Sequence, residues 1–130
     1  MADQYIPKAG LNAVGNYQVS SIPYLNNVVA PVSTNSPLEI VFPSVTKFLV
    51  VKNTDTQNHP LRIGFSENGI HGVNYFTLSQ NESFSGEFKV TKLYLIGGSP
   101  NVVSASIVAG LTGIDASQLP NNWSGSVGVG

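Results

Sequence analysis

The sequence predicts an all-β protein, an antiparallel β-sandwich of about seven or eight short strands. Three observations predict it. Apolar and polar residues alternate at period two, which sets one face of each strand in a core and the other outside. Turn residues interrupt the pattern every roughly 8–15 residues, too often for βαβ units. Prolines at 23, 31, 37, 43, 60 and 100 would each break a helix.

Along the chain, residues 1–16 include Pro7, Gly10 and Gly15 and sustain no period, so they read as an N-terminal arm. The sandwich domain is expected over 17–109. Leu38, Ile40 and Phe42 share one face. Leu61, Ile63 and Phe65 alternate with Arg62, Gly64 and Ser66. Phe84, Phe88 and Val90 alternate with Ser83, Ser85, Glu87 and Lys89. Val103, Ala105, Ile107 and Ala109 alternate with Ser104, Ser106 and Val108. Thr46–Lys52 and Leu93–Ile96 are apolar on both faces and are expected to be central strands covered on both sides. Asn53–Pro60 is a polar loop, and Asn68-Gly69 signals a tight turn. Strand patterning stops at Ala109, leaving Gly110–Gly130 as a C-terminal arm with one turn of helix near Asp115–Leu119. That arm keeps Leu111, Ile114, Leu119 and the single tryptophan, Trp123, so it is expected to fold against its own domain or a neighbouring subunit.

The 130 residues fit one domain. The chain is 42% hydrophobic and 10% charged, against about 25% charged in ordinary soluble domains. Its polar character comes from Asn, Ser, Thr, Gln and Gly, a surface that is easily desolvated and suits coverage by other proteins. A net charge of −1 with six scattered basic residues argues against nucleic acid. No basic amphipathic segment addresses a membrane surface, and the longest apolar run, Phe48–Val51, is too short to span one. The absence of cysteine excludes disulfides and thiolate zinc sites. The first residues resemble no secretory leader, which places synthesis in the cytosol and makes the sequons at Asn81 and Asn122 chance.

No enzymatic constellation stands out. His59 and His71 fall in predicted loops and could join Asp55 or Glu67 around a metal, but structural or surface roles fit them better. The seven carboxylates are dispersed along the chain, and Gly97-Gly98-Ser99 lacks the lysine of a phosphate loop. No catalytic, cofactor-binding or metal-binding residue is assigned, and no cofactor or small-molecule substrate is expected. Phe42, Phe48, Phe65, Phe84 and Phe88 are read as core. Interface candidates are Tyr5, Leu11, Tyr24, Leu111, Ile114, Leu119 and Trp123, since Tyr and Trp are favoured between subunits. Tyr75 or Trp123 stacking on a sugar, as in a carbohydrate-binding β-sandwich module, is the alternative.

Four phrases carry a family resemblance: Phe48-Leu-Val-Val-Lys-Asn-Thr, Leu61-Arg-Ile-Gly-Phe-Ser-Glu-Asn-Gly, Asn74-Tyr-Phe-Thr-Leu-Ser, and Glu82 through Leu95. With Ala109-Gly-Leu-Thr-Gly-Ile, they cover roughly residues 38–115. The stretch resembles the small jelly-roll virion proteins of icosahedral DNA viruses and tailed phages (minor capsid, penton, or decoration proteins). The resemblance implies a jelly-roll-like sandwich, a virion location after synthesis in host cytoplasm, a homo-oligomer in contact with other capsid proteins, and no catalytic residues. The two weakly charged arms, 1–16 and 110–130, are expected to make the contacts between subunits, ordering upon assembly.

Overall fold

In the computed structural model, residues 22–130 are described. They form eight strands: β1 (Ile22–Ala30), β2 (Leu38–Val41), β3 (Ser44–Asn53), β4 (Leu61–Gly64), β5 (Tyr75–Leu78), β6 (Ser83–Gly86), β7 (Lys92–Gly97) and β8 (Val103–Asp115). One short helix, α1 (Glu67–His71), lies between β4 and β5, and a 3-10 turn covers Ala116–Gln118.

The strands make two four-stranded antiparallel sheets, ordered β1-β8-β3-β6 and β2-β7-β4-β5. Only the β4–β5 connection stays within one sheet; every other one crosses to the opposite sheet. An immunoglobulin-like sandwich keeps several successive strand pairs in the same sheet. Eight strands that cross at almost every step form the double Greek key of a jelly roll.

The core lies between the sheets and follows the predicted alternation. Ile40 and Phe42, Leu49 and Val51, Leu61 and Ile63, Leu93 and Leu95, and Val103, Ala105, Ile107 and Ala109 are all buried. Each large aliphatic side chain removed from water contributes about 1.5–3 kcal/mol. Tyr24 packs edge-on against Phe42, with ring centroids 5.1 Å apart. Phe76 and Phe84, 4.4 Å apart, sit on the edge strands β5 and β6 and close that side of the sandwich.

Four expectations need correction. β3 and β7 are central within their sheets, but β3 is covered on one side only: Leu49 and Val51 are buried while Phe48 and Val50 are half-buried on the outer face. Phe48 is therefore not core. Phe88 follows the end of β6 and is 38% exposed. Asn68-Gly69 is helical, because Ser66 caps α1 by accepting the Gly69 N–H at 2.9 Å. Finally, strand structure runs six residues past Ala109, to Asp115, where β8 still pairs with Ser44 of β3.

Candidate interaction surface

The two sheets differ in what they turn outward. On the β2-β7-β4-β5 sheet the outward side chains include Glu39, Lys92, Tyr94, Arg62 and Tyr75, and they satisfy one another. The Tyr94 hydroxyl donates to Glu39 at 2.9 Å, and Lys92 Nζ lies 3.5 Å from the same carboxylate. The Arg62 guanidinium sits 4.6 Å above the Tyr75 ring. Burial, helped by the Glu39 carboxylate that accepts its hydrogen bond, pushes Tyr94 up to about 12.

The outer face of the β1-β8-β3-β6 sheet is built differently. Register sets Leu25 beside Val108 and Val108 beside Val50, with Ser85 next. The following row holds Asn27, Ser106, Lys52 and Ser83. Ser106 Oγ and Asn27 Oδ1 meet at 2.5 Å across it. Val29 and Ser104 continue the pattern. Leu25 is 73% exposed and Val29 57%. Across these rows Lys52 is the one outward charge. The border strand β1, Ile-Pro-Tyr-Leu-Asn-Asn-Val-Val-Ala, has no charge along nine residues, and among the described residues no strand pairs with its outer edge. Natural sheets usually blunt such edges with charge, bulges or a covering segment.

The C-terminal segment lies against its own sandwich. Leu111, Ile114 and Leu119, three of the interface candidates, are buried there: Leu111 in the main core, Ile114 and Leu119 in a small second core with Val45. They have no surface to offer a neighbour. Asn122 is the anchor. Its side-chain oxygen accepts Thr91 N–H at 2.7 Å and Lys92 N–H at 3.2 Å, and its amide donates to Phe65 O at 2.8 Å and Lys92 O at 3.0 Å. These bonds hold Asn122 and Trp123 in left-handed backbone, at φ 50° and 64°, a conformation costly for a residue other than glycine. Ser66 Oγ lies 2.9 Å from Val129 O and 3.0 Å from Gly130 O. Gly69 is required beneath that contact, since a Cβ there would lie 2.1 Å from Val129 O.

Of the remaining candidates, Tyr24 is half-buried on the inner face of β1, and Tyr5 and Leu11 lie outside the described residues. Trp123 is 40% exposed and its indole N–H donates to Lys89 O. It borders an apolar groove of about 530 Å³ with Phe65, Phe88 and Val127.

Asp55 and His59, four residues apart, come together in the β3–β4 loop, with Asp55 Oδ2 3.4 Å from His59 Nδ1. Backbone N–H groups of His59 and Gln57 donate to that oxygen and hold the Asp55 carboxyl below its ordinary value, against the opposing effect of burial. Asn53 completes the loop: its amide donates to His59 O and Leu78 O, and its oxygen accepts the Asp55 N–H. His71 is exposed on α1. Among the described residues no three His, Cys, Asp or Glu side chains gather in a metal-binding arrangement. No helix among them is long and apolar enough to cross a membrane.

Sandwich wiring and outer faces together define an eight-stranded jelly-roll domain with one face whose charged groups pair with one another and one face whose outward rows, among the described residues, carry a single charge, Lys52. A scan against protein-family models found no match, and a search of curated proteins found none either.

Proposed function

We propose that this chain is a structural virion protein, capsid-associated as a penton, minor capsid or decoration (cement) protein, and that it acts through symmetric homo-oligomerisation and contacts with other capsid proteins. One observation carries the reading: a jelly-roll scaffold whose β1-β8-β3-β6 face and border strand are almost free of charge. Interface centres are depleted of charge in this way, because a charge that loses water without a partner is expensive. Closed symmetry repeats one such contact in every subunit. The contact mechanism shifts from the one expected: the segment after β8 is engaged by its own sandwich, leaving the sheet face as the better candidate.

The test is the mass of the purified full chain in solution. A closed oligomer is expected, a pentamer pointing to a vertex and a trimer to decoration. A monomer at every concentration overturns the reading. The carbohydrate-binding alternative draws on Trp123 beside its groove. It requires glycan-array hits that are lost in Trp123→Ala.

A further inference from the structure

We infer that the polar pocket where the start of α1, the first residues of β7 and the C-terminal segment meet binds a neutral saccharide, with Glu67, Asn68, Lys92, Tyr94, Asn121 and Ser124 as its contacts. The inference stands apart from the oligomeric reading, and its site is not the apolar groove beside Trp123.

Three features carry it. The first is construction. The pocket holds about 290 Å³, at the lower end of the roughly 300–1,000 Å³ of ligand sites, and suits a single sugar unit. Its floor is the buried Asn122, whose side chain bonds to Thr91, Lys92 and Phe65 and locks the C-terminal segment to β7. The walls are thereby held in place before a ligand arrives, which lowers the ordering cost of binding. The second is the chemistry of the rim. Asn121 Oδ1 accepts the Trp123 N–H at 3.2 Å, which leaves its amide hydrogens to donate. Among the described residues, the side chains of Glu67, Asn68 and Ser124 make no hydrogen bond. Glu67 only accepts, Lys92 only donates, and Asn68 and Ser124 do both. A ligand bearing several hydroxyls, each donor and acceptor at once, matches that mixture. The third is charge. Among the described residues that line the pocket, Lys92 is the one cation and Glu67 the one acid. Lys92 already lies 3.5 Å from Glu39. A phosphate would meet the Glu67 carboxylate with no cation to spare, and an ammonium ion would meet Lys92; a neutral ligand meets neither penalty. Tyr94, its hydroxyl engaged by Glu39, adds an apolar ring to the wall for the C–H face of a sugar.

The experiment records amide NMR spectra of the full-length protein while glucose, galactose, mannose or N-acetylglucosamine is added to millimolar concentration, with inorganic phosphate and tetramethylammonium as charged comparisons. At least one of these sugars should shift the amides of Glu67, Asn68, Asn121 and Ser124 to saturation, and neither ion should. Glu67→Ala/Asn68→Ala should weaken that binding at least ten-fold. Both positions are exposed and alanine favours a helix, so the melting temperature should stay within a few degrees. Val127→Lys, which places a charge beside the Trp123 groove at a fully exposed position, should leave the affinity within two-fold of wild type. If no sugar in the series shifts these amides, the saccharide assignment is wrong, while the oligomeric reading, judged by mass, is untouched. Saturable shifts of the same amides by phosphate or tetramethylammonium overturn the ligand class. Sugar binding that survives Glu67→Ala/Asn68→Ala but is lost in Val127→Lys overturns the site and moves it to the groove.

Discussion

The two sheets of this sandwich share one core and treat their outer faces in opposite ways. The β2-β7-β4-β5 sheet carries acid, base and phenol, and each finds a partner on the same chain. The C-terminal segment fastens at that sheet too, through Asn122 bonded to Thr91 and Lys92 where β7 begins. The β1-β8-β3-β6 sheet offers Leu25, Val29, Val50 and Val108 among serines and asparagines. The period-two pattern is identical in both, so alternation alone does not say which side faces water. The chemistry of the outward residues does: polar groups that satisfy one another can stand in solvent, whereas uncovered apolar rows gain by being covered.

The largest effect that would sharpen this contrast comes from Asn122→Ala. It strands the N–H groups of Thr91 and Lys92 and the carbonyl of Phe65, and each buried group left unpaired costs about 1–3 kcal/mol. We expect a loss of about 2–4 kcal/mol in chemical denaturation, with faster amide exchange across 119–130. If stability and exchange stay at wild-type values, the claim that the chain covers this side itself is broken.

Next is the seam between the sheets, where the Asp55 loop joins β3 to β4. The folded carboxyl lies below its ordinary value of 3.8. Its contribution is therefore present above about pH 3.8 and is lost as pH falls through the lower folded value. Asp55→Asn should melt earlier than wild type at neutral pH, and the gap should close as acid protonates the wild-type carboxyl. A gap that persists unchanged at the acid end would show that the charge is not what matters.

The smallest effect belongs to the charged face. With Tyr94 raised to about 12, its neutral form favours the fold. That contribution is complete below about pH 10, the unfolded value, and disappears as pH rises through 12. Glu39→Gln should lower the Tyr94 midpoint in an ultraviolet titration, while changing stability by less than about 1 kcal/mol, as partly exposed ion pairs do. Unaltered alkaline titration would show that Glu39 does not hold the phenol.

Much of this architecture is legible in the residues. Leu61-Arg-Ile, Val103-Ser-Ala-Ser-Ile and Leu38-Glu-Ile state which side chains turn inward, because a pleated strand permits no other assignment. Asp55 and His59 were also within reach, since their four-residue spacing was visible. Phe48 and Phe88 misled because an aromatic suits either a core or an outer face, and only neighbouring strands decide between them. Asn122 gave no signal: its partners lie 30 and 57 residues away, and nothing local distinguishes it from the exposed Asn121.

By itself, then, the sequence determined the all-β class, the approximate number of strands, most of the inward residues and the scarcity of charge, all of which follow from local periodicity and composition. Tertiary structure decided the wiring β1-β8-β3-β6 against β2-β7-β4-β5, the docking of residues 116–130 onto their own domain, and the division of labour between the two outer faces. Those depend on long-range pairings. Their free energy arises only when strands distant in the chain meet, so no short window of sequence records them.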